Sequence, residues 1–230
     1  MEILKNIPFE LDFDKLLSKL SLEKDSEYTK EVESLVDSVT PVITPKAIYE
    51  VAYIQEKGED TVNIDGVEFT SHVLRVNLDE VERVFPYIAT CGKELDEVEI
   101  SSDDFLARYW LDAIKEMALR KSMVYLYGYL KDQYALGKTS SMSPGSAAAE
   151  VWPIGQQKHL FSIFGDVEKM IGVKLTESCL MIPNKSVSGV ILPTEVSFRS
   201  CQLCPREGCP GRSAPYDEDL LKKRYGKNEK

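Results

Sequence analysis

Residues from about Asp103 to Tyr134 predict one long helix that must be covered by other parts of the chain. In its first half, apolar side chains recur at helical spacing, namely Phe105, Tyr109, Leu111, Ile114, Met117 and Ala118. Its second half, residues 123–130, is apolar around most of its circumference, which is typical of a helix buried on several sides. Asp103 or Asp104 is a suitable N-cap, because a short carboxylate accepts hydrogen bonds from the first free backbone amides.

Strand-forming segments precede this helix. Residues 47–54 are rich in strand formers, and residues 84–91 predict a second, buried strand. Between them, Asp65 and Gly66 separate two short strand-like stretches. Because both residues tolerate positive φ, this pair predicts a tight hairpin turn.

Further elements lie on both sides of these segments. Residues 9–40 predict two amphipathic helices, and residues 154–171 predict another helix. Residues 173–182 and 186–192 predict a second hairpin. Because helices are interspersed with hairpins, we predict an α+β fold with a mostly antiparallel twisted sheet flanked by helices.

Composition limits the domain organisation and the classes of partner. The chain has 230 residues and a formal net charge of −10. We predict one α+β domain at residues 1–198, with an N-terminal helical part at 1–45, and a Cys-rich tail at 199–230. The acidic balance argues against nucleic acid as a partner. No apolar run approaches the ~18 residues of a membrane span, and acids near the N-terminus do not fit a secretory signal, so we expect a cytoplasmic protein.

The Cys-rich tail carries Cys201, Cys204 and Cys209 within one short segment. Three soft thiolates suit Zn²⁺ or an iron–sulfur cluster, and these three residues are the predicted metal ligands. A fourth ligand is missing locally and could come from Cys179 or Cys91. The alternative is three free thiols.

Two motifs resemble a known family. Residues 175–189 read LTESCLMIPNKSVSG, and Ser143-Pro144-Gly145 is followed by Trp152-Pro153-Ile154. In order and spacing, both resemble the activation domain of cobalamin-dependent methionine synthase, over about residues 80–192. The similarity is greatest to its short, free-standing relatives.

The resemblance implies an α+β domain that binds S-adenosylmethionine and docks on a cobalamin-carrying domain. In that family, an electron donor and the methyl donor together restore methylcobalamin from inert Cob(II). The chain would then be a stand-alone activation subunit, a component of a methyltransferase system of methionine biosynthesis. Its partner would be a separate corrinoid-binding methyltransferase that carries the cobalamin. Neither nucleic acid nor a membrane is expected as a partner.

The resemblance also implies a set of residues that bind the methyl donor. They are Ser143, Pro144, Gly145, Ser146, Trp152, Glu116, Lys185 and Ser186. This sequence departs from the family pattern at three points. Residues 141–143 lack the family's loop arginine, Ser146 stands where the family has tyrosine, and the glutamate expected on the long helix aligns with Arg120, one turn after Glu116.

Several of these positions have a simpler interpretation. Gly145 could be an ordinary turn glycine, Trp152 a packing residue, and Lys185 and Ser186 exposed polar residues of a turn. Two functional alternatives follow from the departures and from the cysteines. The chain could be a docking or assembly module that has lost S-adenosylmethionine binding, or an electron-transfer partner that uses the Cys-rich tail.

Overall fold

The computed structural model describes residues 1–148, 151–195, 198–209 and 211–226, and strands and helices are interspersed throughout them. The strands are β1 (Glu2–Leu4), β2 (Lys46–Tyr49), β3 (Ala52–Lys57), β4 (Thr61–Ile64), β5 (Val67–Thr70), β6 (Arg83–Thr90), β7 (Thr139–Met142), β8 (Lys174–Leu175), β9 (Met181–Ile182) and β10 (Ser186–Pro193). The helices are α1 (Phe13–Leu20), α2 (Thr29–Val39), α3 (His72–Asn77), α4 (Phe105–Tyr134), α5 (Gln157–Phe164), α6 (Val167–Ile171) and α7 (Glu218–Tyr225). Short 3₁₀ turns cover Thr40–Val42, Lys93–Asp96, Ile154–Gln156 and Ser200–Leu203.

Strand β6 is the centre of the main sheet. Strands β2 and β3 pair with one edge of β6 in a constant antiparallel register, from Lys46 opposite Thr90 to Ala52 opposite Val84. Strand β10 pairs with the other edge, and β7 pairs with β10. These named pairings are all antiparallel, so the predicted α+β class with a mostly antiparallel sheet is confirmed.

The predicted hairpin at Asp65 and Gly66 is present, with β4 and β5 as its arms. Both turn residues have positive φ, 47° and 84°. The segment predicted as one strand at 47–54 is divided between β2 and β3. Because the register on β6 does not change across Glu50, the two strands behave as one interrupted strand.

Helix α4 is covered over a narrower face than its composition predicts. Leu126 and Leu130 are buried, but Val124 in the same half is 64% exposed and Phe105 at the start of the helix is 74% exposed. The prediction of burial on several sides is therefore wrong for the second half of the helix, which buries one face.

Asp104 is the N-cap of α4, and the side chain accepts a hydrogen bond from the Ala107 amide at 2.9 Å. The first half packs with α1 and α2 through Trp110 and Ile114. The second half packs on the sheet through Leu126 and Leu130.

The structure divides one predicted element and contains two elements that are not predicted from the sequence. The single helix predicted at 154–171 is a 3₁₀ turn followed by α5 and α6, which are separated at Gly165 (φ 77°). Residues 139–142, for which no strand is predicted, form β7. The predicted Cys-rich tail contains α7, whose N-cap is Asp217.

The predicted hairpin of 173–182 with 186–192 is wrong. Residues 173–182 fold on themselves as the small pair β8 and β9, while β10 pairs with β6 and β7. The Thr176 hydroxyl oxygen accepts a hydrogen bond from the Leu180 amide at 3.0 Å, and the Cys179 amide donates to the Thr176 carbonyl. A threonine that binds nearby backbone in this way favours a local turn over a continuous strand.

Among the described residues, no helix combines the length and the apolar composition that crossing a membrane requires.

Candidate functional site

A cavity of about 380 Å³ lies where β7, α4 and the Cys-rich tail meet. Most of the side chains that line it carry a hydroxyl group. The described lining residues are Tyr127, Thr139, Ser140, Ser141, Ser143, Ser146, Phe198, Arg199, Ser200, Cys201 and Ser213. Such a surface can form many hydrogen bonds with a polar small molecule.

Two chain segments far apart in sequence form one wall of the cavity. The Phe198 amide donates a hydrogen bond to the Ser140 hydroxyl oxygen at 3.0 Å. The next residue, Arg199, pairs with Ser141 in an isolated parallel bridge. The start of the Cys-rich tail is therefore held against β7 by one hydrogen bond and one isolated bridge.

A hydroxyl network lies behind this wall. Tyr87 of β6 is hydrogen-bonded with Tyr127, Ser141 and Ser143. Burial raises the pKa of both Tyr87 and Tyr127, so both phenols are neutral at physiological pH. They can orient the serine hydroxyls, but neither is suited to act as a base.

The two family motifs meet at Gly189. Residue Val190 of β10 lies opposite Met142 of β7, and a Cβ placed on Gly189 would lie 2.5 Å from the Ser143 hydroxyl oxygen. The same Cβ would lie 3.1 Å from the Tyr87 hydroxyl. The end of the motif at residues 175–189 therefore packs directly against the start of the Pro-Gly loop.

The Pro-Gly loop, residues 143–153, closes on itself; its residues 149 and 150 lie outside the described part. The Gly145 amide donates to the Trp152 carbonyl at 2.9 Å, and Gly145 has a φ of 74°. A Cβ on Gly145 would lie 2.6 Å from Cδ1 of Ile154. Gly145 thus fits a tight turn against Ile154, while Ser143 and Ser146 on either side of it line the cavity.

Trp152 is 2% exposed and packs edge-on against Phe69, with ring centroids 5.8 Å apart. Its Nε1 and the Nε2 of Gln157 are buried and have no hydrogen-bond partner among the described residues. Trp152 therefore supports the loop from within the core and is not among the residues that line the cavity.

The remaining predicted binding residues lie away from the cavity. Glu116 on α4 forms an ion pair with Lys19 of α1 at 3.0 Å. Lys185 forms an ion pair with Asp112 at 2.8 Å, and the Ser186 hydroxyl donates to Thr90 at 2.9 Å. The structure thus brings Ser143 and Ser146 together with the cavity, but not Glu116, Lys185 or Ser186.

The three tail cysteines are free thiols, all partly exposed. Among the described residues, no three His, Cys, Asp or Glu side chains are grouped so that they could hold a metal ion. The described donors do not fit a zinc ion or an iron–sulfur cluster, and the metal site stays a prediction.

An arginine organises the tail. The Arg212 guanidinium donates hydrogen bonds to the carbonyls of Cys201 at 3.2 Å, Cys204 at 3.0 Å and Ala214 at 3.3 Å, and also to that of Arg206. One side chain thereby holds several turns of the tail through their backbone.

The Cys201 thiol lies at the edge of the cavity, and its surroundings lower its pKa. Partial burial raises its pKa, but hydrogen bonds from Ser213 and the nearby Arg212 outweigh that effect and leave the pKa below its usual value. The Ser213 hydroxyl and amide lie 3.4 and 3.5 Å from the sulfur. The thiolate fraction at neutral pH is therefore larger than for an ordinary cysteine.

Sequence reasoning missed Tyr127, Ser141, Arg199 and Ser213 as lining residues. Tyr127 looks like one more apolar residue of α4, and Arg199 and Ser213 follow the segment that carries the resemblance. No local pattern in the sequence distinguishes them.

The comparisons with known proteins bear on the same segment. Residues 141–199 match the family model of the vitamin B12 dependent methionine synthase activation domain. The predicted resemblance is confirmed. The match to this activation domain begins at Ser141 and ends at Arg199, the two residues that pair across the wall of the cavity.

A solved structure has the same fold. It is described as the crystal structure of the MetH reactivation domain bound to AdoHcy, and it matches with a TM-score of 0.56 at 16% sequence identity. The match covers 87% of this chain and 81% of that chain. At this identity it establishes the activation-domain fold. A search of curated proteins found no match.

Proposed function

We propose that this chain is an activation component for a cobalamin-dependent methyltransferase of the methionine synthase type. It would act in the cytoplasm, dock on the cobalamin domain of a separate protein and bind S-adenosylmethionine in the cavity beside β7. There it would support reductive remethylation of cobalamin that has been oxidised to Cob(II).

The observation that carries this proposal is the position of the matched segment. Residues 141–199 contain the second half of β7, the Pro-Gly loop and all of β10, and Ser141, Ser143 and Ser146 line the cavity. The solved structure of the same fold is described as binding AdoHcy, the product that S-adenosylmethionine becomes after it gives up its methyl group.

The cavity suits a ligand with two ends of different polarity. A second cavity of about 260 Å³ adjoins the first and shares Tyr127 and Thr139 with it. Its lining includes Leu130, Leu136 and Ile191, so it is more apolar. We propose that the hydroxyl-rich cavity takes the amino-acid end and that the apolar one takes the adenosine.

Within this proposal the chain contributes binding and orientation. The serine hydroxyls would position the methyl donor, with Tyr87 and Tyr127 fixing the hydroxyls of Ser141 and Ser143 in turn. Cobalamin on the partner would supply the cobalt that accepts the methyl group.

Calorimetry and thermal unfolding with S-adenosylmethionine test the ligand. Binding should release or absorb heat and raise Tm in proportion to ligand concentration, because a ligand that binds only the folded state stabilises it by mass action. Ser146→Trp should fill the cavity and abolish both signals, whereas Ser102→Trp, at an exposed site on another part of the chain, should leave both unchanged. The wild-type protein giving neither signal at millimolar ligand would refute methyl-donor binding.

Co-purification tests the partner. Tagged wild-type protein should retain a corrinoid-binding methyltransferase from an anaerobic lysate, identified by its cobalamin absorbance and by mass spectrometry. Recovery of methylcobalamin from Cob(II) should then require this chain, S-adenosylmethionine and a reductant together. Full recovery without this chain would contradict the proposed role.

One observation favours the docking or assembly module as a second candidate. The described residues that line the cavity include no carboxylate, and Glu116 is paired with Lys19 elsewhere. A cationic sulfonium and an α-amino group would normally be matched by a carboxylate. This candidate predicts that the chain binds the corrinoid protein with the same affinity whether or not S-adenosylmethionine is present.

A further inference from the structure

Arg199 carries the only permanent charge among the described residues that line the cavity. The other polar side chains that line the cavity carry neutral hydroxyls or, at Cys201, a thiol, and no described lining residue is acidic. A positive group surrounded by hydroxyls favours an anionic ligand group over a cationic one. Because the guanidinium is planar with five N–H donors, it matches a carboxylate in a two-point fork.

The backbone of Arg199 is held in place from two sides. Its amide donates to Oε1 of Gln202 at 2.9 Å, and its bridge with Ser141 fixes it beside β7. The guanidinium Nη1 also donates to the Ser213 carbonyl across the cavity. The side chain is thus oriented by the protein before a ligand arrives, which lowers the entropy cost of binding.

Residues 141–143 contain no arginine. The isolated parallel bridge places Arg199, at the start of the Cys-rich tail, beside Ser141.

We propose that Arg199 binds the α-carboxylate of an amino-acid-bearing ligand in this cavity, an inference that rests on the proposed function and names the residue that selects the ligand class. The hydroxyls of Ser141 and Ser143 would complete the contacts to the same end of the ligand. Adenosyl ligands that lack the carboxylate would bind without any contribution from Arg199.

The test compares S-adenosylmethionine with decarboxylated S-adenosylmethionine, which keeps the adenosine, the sulfonium and the amine. Wild-type protein should bind the carboxylate form at least about tenfold more tightly, since charge-assisted hydrogen bonds are among the stronger ones. Arg199→Gln should weaken binding of S-adenosylmethionine about 10- to 100-fold and change binding of the decarboxylated ligand less than about twofold. Arg206→Gln, at an exposed position of the same tail, should change neither.

Two further variants separate charge from structure. Arg199→Lys keeps the charge and the stem but loses the fork, so its affinity for S-adenosylmethionine should lie between those of wild type and Arg199→Gln. Ser141→Arg combined with Arg199→Gln returns a guanidinium to the neighbouring position and should recover at least about tenfold of the lost affinity. A merely structural role of Arg199 would give no such recovery.

The outcomes also distinguish this inference from the proposed function. If wild type binds both ligands equally, or if Arg199→Gln weakens both to the same extent, the carboxylate role is refuted while methyl-donor binding stands. If wild type binds neither ligand, the proposed function fails and the inference fails with it. Should Arg199→Gln unfold, Arg199→Lys supplies the same comparison of the two ligands.

Discussion

Gly189 lets β7 and β10 approach each other at the wall of the cavity. A Cβ at this position would collide with the Met142 carbonyl oxygen and would lie 2.5 Å from the Ser143 hydroxyl oxygen. The first neighbour is backbone and cannot move without displacing β7. The geometry of the cavity wall therefore requires glycine, which has no Cβ, at position 189.

Gly189→Ala should destabilise the protein by about 1–3 kcal/mol, because overpacking at a rigid contact forces the strands apart. Urea unfolding followed by far-UV circular dichroism measures this change. Gly128→Ala is the matched control: Gly128 lies within α4 with no atom within 4 Å of an added Cβ. Alanine there should stabilise the protein by about 0.5–1 kcal/mol. Equal stability of the two variants would contradict the close approach at Gly189.

Ser213 contacts the sulfur of Cys201. Its hydroxyl and amide both donate toward the sulfur, and the resulting pKa of the Cys201 thiol is below its usual value despite partial burial. Ser213→Ala removes one donor that stabilises the thiolate, so the pKa should rise. The midpoint of the pH dependence of the Cys201 alkylation rate should then lie at a higher pH.

Iodoacetamide labelling across a pH series, with each cysteine resolved by peptide mass spectrometry, measures this shift. Ser162→Ala, at an exposed position on α5, should leave the midpoint unchanged. Buried Cys91, whose pKa burial raises to about 12, should be labelled last and serves as an internal reference. An unshifted midpoint in Ser213→Ala would show that Ser213 does not set the reactivity of Cys201.

At the scale of elements, α4 begins at a defined cap. Sequence reasoning left Asp103 and Asp104 as alternatives, and the structure selects Asp104, which accepts from the Ala107 amide. Asp104→Ala should cost about 1 kcal/mol of unfolding free energy, as expected for loss of an N-cap. Asp103→Ala, one residue earlier and exposed, should cost less than about 0.5 kcal/mol. Equal costs in thermal or urea unfolding would count against this assignment.

The elements that could be predicted from the sequence were those whose conformation depends on residues close together in the chain. The turn at Asp65 and Gly66 needs positive φ at both positions, which these two residue types tolerate. The periodicity and the apolar composition of residues 105–134 likewise predict helix α4. Strand β7 contains Thr139, Ser140 and Ser141, which show no strand signal. It is a strand because β10 pairs with it, and that partner lies far along the chain.

The candidate site was predictable only in part for the same reason. Ser143 and Ser146 lie in a recognisable motif and do line the cavity. Arg199 becomes part of the site only through its bridge to Ser141, a long-range contact that no local pattern encodes. Conversely, Glu116 was inferred from an alignment of helix positions, but α1 supplies Lys19 as its partner instead.

At the scale of the whole molecule, two elements connect the buried clusters of the core. Strand β6 contributes Val84 to the cluster around Trp152, Tyr87 to the cluster beneath α4, and Ile88 to the cluster under α5 and α6. Helix α4 links the cluster beneath it to the N-terminal helices through Trp110. Because these clusters share β6 and α4, we expect them to unfold together.

The two tryptophans allow a direct test, since Trp110 and Trp152 report on different clusters. Variants Trp110→Phe and Trp152→Phe each retain one reporter, and both are expected to be less stable than wild type because the lost ring is buried. Within each variant, the midpoint of urea unfolding by fluorescence should equal the midpoint by far-UV circular dichroism, because one cooperative transition moves every probe at once. If instead the Trp110 signal changes at lower urea than the dichroism of the same protein, the N-terminal helices unfold separately. Residues 1–45 would then be an independent unit attached to the cavity-bearing domain.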